Sequence, residues 1–131
     1  MAGLLPVVRY LIVCEDIPAH TNRVSLLNLL GTLRSGSQPP FPFRCPKFCV
    51  HARLTECRGV GEVRLKIEEE DTQTVIHQSA SQRYNFGNDP LKVFHASFRL
   101  RDCVFPAAGL YSVQLCYNDI VVFQEPLRVE G

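Results

Sequence analysis

The sequence contains one cluster of residue types that bind metals: Cys45, Cys49 and His51, followed by Cys57. Structural zinc sites take four Cys or His ligands, usually from two close pairs. Cys45 precedes a proline in a predicted loop, Cys49 and His51 alternate along a predicted strand, and Cys57 lies beyond its end. The four side chains converge only if the loop folds back. We therefore predict no metal site and no cofactor, and interpret these cysteines as buried or half-buried thiols.

The same residues do not predict a catalytic thiol. A cysteine nucleophile needs a histidine within reach of its proton, and Cys49 and His51 are two strand residues, or about 7 Å, apart. The strand pairing predicted below places Glu68 beside Cys49, which raises the pKa of a thiol. The sequence has no glycine-rich phosphate loop, no G-x-S-x-G elbow and no H-E-x-x-H. We predict no catalytic residues and a protein that is not an enzyme.

Basic side chains also alternate along the predicted strands. Four of them are predicted to point outward: His51, Arg53, Arg64 and Lys66. His95 and Arg99 join this patch only if their strand is a neighbour, and Glu62 and Glu68 dilute it. The net charge is only +1, and the patch lacks the stacked aromatic residues of single-strand binders. We interpret it as a solvent face and predict no nucleic-acid partner.

Composition bounds the class of protein. The chain has 131 residues, of which 46% are hydrophobic, as expected for a single globular domain over 1–131. No segment reaches the roughly 18 apolar residues of a membrane span. Pro6 and Arg9 interrupt the first apolar run, which is not typical of a signal peptide. We therefore predict a cytoplasmic protein that has six reduced cysteines and does not contact a membrane.

Two apolar runs near the N-terminus predict the first elements. Residues 7–14 are apolar on both faces of a two-residue period, which is typical of a central strand covered from both sides. The leucines of 24–33 fit either one face of a helix capped by Asn22 or a strand. Val24, Gly31 and Thr32 disfavour the helix, so we favour the strand.

Residues 34–46 predict a loop. Four prolines and a glycine exclude a helix and a central strand. Phe41 and Phe43 either pack under the edge of a sheet or present an apolar contact to a partner, with Arg44 beside them.

The middle of the chain predicts further strands. Residues 47–55 and 62–70 each alternate between apolar and polar, and 74–78 and 92–100 indicate two more strands. If the first two form a hairpin, the apolar sets pair Val50 with Ile67, Ala52 with Leu65 and Leu54 with Val63.

The C-terminal residues predict a second hairpin, with strands at 111–117 and 120–129. We expect a bulged three-residue loop, 118–120. This loop pairs Tyr117 with Val121, Leu115 with Phe123 and Tyr111 with Leu127. Pro126 cannot donate to a ladder, so we expect an edge strand or a bulge there.

These elements add up to eight or nine short strands without an amphipathic helix or an internal repeat. The predicted fold is all-β, an antiparallel β-sandwich that is immunoglobulin-like in general form.

Three motifs of the chain also resemble a known family. They are Arg9-Tyr-Leu-Ile-Val-Cys-Glu-Asp16, Asn22-Arg-Val-Ser-Leu26 and Gly109-Leu-Tyr-Ser-Val-Gln-Leu115 with Leu127-Arg-Val129. With them the chain resembles a family of small uncharacterised bacterial β-sandwich proteins. The resemblance implies a single β-sandwich domain and a strand at 24–33. It implies no activity, cofactor or catalytic residue.

Two functions fit these expectations. The first is a non-enzymatic binding or assembly module, which binds a protein partner or a second copy through a sheet edge or through the loop 34–46. The second is an accessory protein that binds a small ligand or a carbohydrate in a cleft formed by Tyr84, Phe41 and Arg44. The candidate binding residues are Phe41, Phe43, Arg44, His51, Arg53 and Tyr84.

Overall fold

The computed structural model describes residues 5–19 and 23–131, and the regular structure of these residues consists of strands alone. No helix in this part of the chain is long and apolar enough to cross a membrane. The strands are, in chain order, β1 (Val7–Asp16), β2 (Leu27–Leu29), β3 (Thr32–Arg34), β4 (Phe43–Thr55), β5 (Gly59–Glu69), β6 (Val75–Gln78), β7 (Gln82–Gly87), β8 (Phe94–Phe105), β9 (Gly109–Tyr117) and β10 (Ile120–Glu130).

These ten strands form two sheets. Sheet A has the order β2-β1-β4-β8. Sheet B has the order β3-β10-β9-β5-β6, and β7 pairs with the first half of β5. The predicted all-β, two-sheet fold is confirmed. The described chain has more strands than the eight or nine predicted, and β3 pairs with β10 in parallel, so the sheets are not antiparallel throughout.

Both sheets contribute to one hydrophobic core. Its fully buried side chains include Phe48, Val50, Leu54 and Phe105 from sheet A, and Leu65, Ile67, Tyr111, Val113, Leu115 and Leu127 from sheet B. The hydroxyl of Tyr111 donates to the carbonyl oxygen of Ala107 at 2.7 Å. This bond fixes the corner at 106–109 against the core, so that β9 can start in sheet B directly after β8 ends in sheet A.

β4 and β5 do not form the hairpin that we considered for them, so its register does not apply. β4 pairs with β1 on one side and with β8 on the other, whereas β5 pairs with β9 in sheet B. The side chains expected to pair, such as Val50 and Ile67, are both buried in the core. Alternation identifies the apolar face of a strand, but it does not distinguish a neighbour in the same sheet from one across the core.

The first apolar run forms β1, and it is covered from both sides only near its end. Leu11 and Val13 are buried in the core, while Tyr10 and Ile12 on the opposite face are half-buried. Cys14 is buried on that opposite face. The prediction of a strand is confirmed, but the expected cover on both faces is wrong for most of its length, because Ile17 and Leu26 cover the outer face only at Cys14.

The second apolar run is extended, as we favoured, but it forms two short strands. β2 pairs with β1 in sheet A, and β3 pairs with the end of β10 in sheet B. The chain crosses between the sheets at Gly31, where it bends. The run therefore closes one side of the sandwich.

The predicted loop 34–46 is shorter in the structure. β4 already begins at Phe43, whose ring stacks on Phe105 with centroids 6.0 Å apart. Pro46 is tolerated inside β4 because β1 pairs with β4 only from Cys49 onward, so that side of the strand has no ladder at the proline.

The C-terminal hairpin confirms two predicted pairs, Leu115 with Phe123 and Tyr111 with Leu127. The third pair is wrong, because Ile120 lies opposite Tyr117 and the bulge follows at 121–123. The turn is Asn118-Asp119, with φ angles of 49° and 65° that suit a two-residue hairpin turn. Pro126 lies where β3 does not reach, so this part of β10 has an unpaired outer side.

We predict that Gly61→Ala destabilises the protein. A Cβ at Gly61 would lie 2.3 Å from the hydroxyl oxygen of Tyr117, whose buried ring cannot move aside without disturbing the core. We expect the free energy of unfolding to fall by about 1–3 kcal/mol, measured by urea denaturation. Gly31→Ala is the control, because no atom lies within 4 Å of the added carbon. Equal losses in both variants would contradict the prediction.

Candidate functional site

The structure separates the residues of the predicted ligand cleft. Arg44 lies at the start of β4 and is exposed, and Phe41, two residues before β4, packs against the core. Tyr84 packs on Phe86, which contacts Phe94 opposite the other end of β4. The thirteen residues of β4 span about 40 Å, so these side chains do not line one cleft.

Three hollows lie on the described surface, away from the residues of the predicted cleft. A polar hollow of about 180 Å³ lies over Ser112 and Gln114, and an apolar groove of about 240 Å³ lies between Leu29 and Pro126. A third, of about 460 Å³, lies beside Arg9. None of them is lined by a predicted binding residue.

His51 lies on the outer face of sheet A, as predicted, but it is fully buried, which corrects its predicted exposure to solvent. Its Nδ1 is hydrogen-bonded to Ser97 Oγ at 2.8 Å and its Nε2 to Nδ1 of His95 at 2.9 Å, and the ring of Tyr10 lies 5.8 Å away. Arg53, opposite His95, is exposed as predicted. The imidazole is covered because β4 is the inner strand of sheet A, with side chains of β1 and β8 on both sides.

The predicted basic patch is divided between the two sheets. Arg53, His95 and Arg99 share the outer face of sheet A, because β8 is the neighbour of β4. Arg64 and Lys66 lie on β5 in sheet B. The patch is divided because β4 and β5, which we expected to be neighbours, belong to different sheets.

Hydrogen bonds link Ser97 to His51 and His51 to His95. Many hydrolases link a nucleophile, a general base and an orienting group in the same order. Burial, and then the neighbouring His95, lower the pKa of His51 to about 4. Burial and Arg53 also lower the pKa of His95. At neutral pH a base with so low a pKa accepts a proton from serine poorly. Ser97 borders none of the three hollows. Its hydrogen bond to His51 and the bond from His51 to His95 form a polar ladder across β4 and β8.

Sequence reasoning missed this ladder because it assigned His51 to a solvent face and did not pair β4 with β8. The only available signal was the matching alternation of His51 with Ser97 and of Arg53 with His95 in two strands of similar length.

We predict that the free energy of unfolding falls as the pH is lowered from 6.5 to 4, because His51 of the ladder becomes protonated. The pKa of His51 is lower in the folded than in the unfolded chain, so its contribution is complete above pH 6.5 and is lost as the pH falls toward 4. His95 and Arg53 are the titratable and charged groups beside it. Between pH 7.5 and 5, His51 accounts for a loss of about 2 kcal/mol.

Urea denaturation at the two pH values measures this loss. His51→Gln keeps polar atoms at the site but does not titrate there. We expect this variant to be less stable than the native chain at pH 7.5. Its free energy of unfolding should, however, fall by about 2 kcal/mol less between pH 7.5 and pH 5, because His51 no longer titrates. An unchanged pH dependence would contradict the assignment.

The six cysteines are all buried and free. Cys14 lies opposite Cys49 under Ile17 and Leu26, on the outer face of sheet A. Cys45 lies opposite Cys103 in the core. The alternation of burial shifts at Pro46 and at Asp102, whose φ is 53°, and this shift turns Cys45 to the core face.

The metal-ligand pattern therefore does not converge. Cys45 and Cys49 point to opposite faces of sheet A, and Cys57 lies in the core at the far end of β4. Within residues 5–19 and 23–131, no three His, Cys, Asp or Glu side chains are arranged to hold a metal ion.

We predict that the native thiols resist alkylation. Burial raises the pKa of Cys14 and Cys57 to about 11 and that of Cys103 to about 12, and it also raises the pKa of Cys45 and Cys116. Only about one thiol in a thousand with a pKa near 11 is ionised at pH 8. Mass spectrometry after iodoacetamide treatment should find the native chain unmodified and the urea-unfolded chain modified at all six cysteines. Rapid modification of the native chain would contradict this burial.

The outer side of β8 is the longest strand edge without a backbone partner in the described chain. β8 has twelve residues, and eleven of them lie in register with β4. No other described backbone group pairs with its outer side. The edge strands β2, β3, β6 and β7 have three to six residues. Along β8, every second residue therefore presents an unpaired N–H and C=O.

The outer face beside this edge is cationic. β4 and β8 together carry five cationic side chains and one carboxylate, Asp102: the cations are Arg44, Lys47, Arg53, Arg99 and Arg101. The Nζ of Lys47 bonds Asp16 of β1 at 2.8 Å, and this bond lowers the pKa of the carboxyl. Arg99 donates to the carbonyl oxygen of Ile17 at 2.5 Å and holds the chain that covers Cys14 and Cys49.

The fold and this edge define a two-sheet β protein with one long unpaired strand edge in its described residues. The model of a family of unknown function, DUF6941, matches residues 9–130, so the chain belongs to this family. The expected membership of an uncharacterised family is thereby confirmed. No curated protein matches the sequence.

Solved structures with a similar fold are parts of larger proteins. The alkylpurine DNA glycosylase AlkC of Pseudomonas fluorescens, bound to DNA containing an abasic site analog, is 10% identical with a TM-score of 0.55, over 96% of this chain and 30% of AlkC. A β-glucosidase from Listeria innocua is 10% identical with a TM-score of 0.53, over 96% of this chain and 16% of the enzyme. The β-glucosidase D2-BGL from Chaetomella raphigera is 15% identical with a TM-score of 0.50, over 97% of this chain and 19% of the enzyme. At such identities the likeness shows the fold alone.

Proposed function

We propose that the protein is a non-enzymatic binding module that takes an extended segment of a partner protein onto the free edge of β8. The observation that carries the proposal is the unpaired outer side of this twelve-residue strand. An added strand satisfies the free N–H and C=O groups, and each net hydrogen bond contributes about 0.5–1.5 kcal/mol.

The edge is suited to this role because it is held rigidly. β8 is paired with β4 over almost its whole length, and its buried Phe98 and Leu100 are part of the core. A segment that binds there does not need to order the strand first, which reduces the entropic cost of binding.

The charge of the edge favours a different protein over a second copy of the chain. If β8 paired with β8 of another copy about a twofold axis near Leu100, Arg99 of each copy would lie opposite Arg101 of the other. Like charges directly opposite each other destabilise a strand pair. We therefore propose a monomer that recruits a partner protein, and neither a nucleic acid nor a membrane.

We also propose that the domain is immunoglobulin-like in form and that the protein resides in the cytoplasm. The bond from Tyr111 to Ala107 resembles the tyrosine corner of immunoglobulin-like domains and supports an immunoglobulin-like form. Six free thiols, four of them opposite one another in two pairs, support a reducing compartment such as the cytoplasm.

Selection followed by amide exchange tests the proposal. Random twelve-residue segments, as long as β8, are displayed on phage and selected on the full chain. We expect a selected synthetic segment to slow amide exchange at 94–105, because it bonds amides that are free in the unbound protein. Light scattering should give a monomer at high micromolar concentration. Failure to select a segment, or protection confined to other residues such as 35–42, would overturn the proposal.

A further inference from the structure

We infer that the segment bound by β8 is acidic, with carboxylates at every second position. This inference rests on the proposed function and names the chemistry of its partner. It is carried by the five cationic side chains that β4 and β8 place on one face, against one carboxylate.

Most of this charge is uncompensated. Lys47 is paired with Asp16, and Arg99, which bonds the carbonyl oxygen of Ile17, also interacts electrostatically with this one carboxylate. No ion pair is found for Arg53 or Arg101 in the part of the chain that the structure describes. A neutral or basic segment would leave these charges facing one another, and an acidic segment would neutralise them.

The spacing of the cations specifies the pattern of the segment. Arg99 and Arg101 are two strand residues apart on the outer face, which is about 7 Å. A strand added beside β8 lies about 4.8 Å away and places its own alternate side chains at the same spacing on that face. Aspartate or glutamate at positions i and i+2 of the segment therefore lies beside both guanidinium groups.

The other face of the segment adjoins the core side of β8. Ala96, Phe98 and Leu100 lie on that side, where they are buried. β6 of sheet B lies close to β8, and its Val75 is 44% exposed. Small apolar residues between the acidic ones extend this surface. The expected partner is an extended acidic segment that alternates with apolar residues.

A peptide fits the edge better than the other common polyanion, a nucleic acid. The outer side of β8 presents N–H donors and C=O acceptors in alternation. A phosphodiester backbone offers acceptors but no N–H donors, so it leaves the carbonyl groups of β8 unpaired. Only a second polypeptide backbone satisfies both.

The selection described above also tests for an acidic partner, because the sequences of the selected segments are determined. We expect the segments that protect 94–105 to carry Asp or Glu at every second position. Against the full-length Arg101→Glu variant, the same selection should lose this acidic pattern. Arg83→Glu, an exposed charge reversal on β7 in sheet B, is the matched control and should enrich the same acidic segments as the native chain.

Binding measurements with synthetic probes give the magnitude. A twelve-residue Thr-Glu repeat, with Thr-Gln and Thr-Lys repeats for comparison, is titrated into each protein by fluorescence anisotropy. We expect the Thr-Glu repeat to bind the native chain at least about tenfold more tightly than the Thr-Gln repeat. This preference should be lost in Arg101→Glu and kept in Arg83→Glu.

The outcomes separate this inference from the proposed function. Neutral or basic segments that protect 94–105 would overturn the acidic partner and leave the binding edge in place. Failure of every segment to protect β8 would overturn both. Displacement of the Thr-Glu repeat from β8 by single-stranded oligothymidylate at a lower concentration would overturn a peptide partner in favour of nucleic acid.

Discussion

The long strand β4 is hydrogen-bonded on both sides, and the arrangement of sheet A depends on this double ladder. One side carries β1, and the other carries β8 in register at eleven positions. Because β4 is an inner strand, even the outward side chains of Cys49 and His51 are covered by their neighbours. β8 stays paired with β4 on both sides of the irregularity at Asp102, and its other side is unpaired. The same constraint therefore produces the buried polar ladder and the free edge.

The chain passes between the two sheets at defined positions. Gly31 marks the bend between β2 of sheet A and β3 of sheet B, while Gly61 packs under the ring of Tyr117 within sheet B. The hydroxyl of Tyr111 fixes the corner between β8 and β9. These contacts hold the outer face of sheet A and its edge in place without contributing to the candidate binding surface, which consists of backbone groups and arginines.

Sequence reasoning found most strands and the face that each one buries, but not all of their partners. The C-terminal hairpin was predictable because its strands are joined by a short turn, which limits the possible registers. β4 and β5 are also close in sequence, yet they belong to different sheets. Their alternation is compatible with both arrangements, and only the packing of the whole core decides between them. The burial of His51 and the separation of Tyr84 from Phe41 follow from that decision.

The sequence by itself determined that the chain is all-β, which side chains face the core, and that 24–33 is extended. It did so because local periodicity and turn chemistry act over a few residues. Only the tertiary structure decided that β8 is an edge, that five cations gather beside it and that no cysteine cluster converges. These properties depend on which strands become neighbours. That choice is made by the burial of both apolar faces together, which no local pattern encodes.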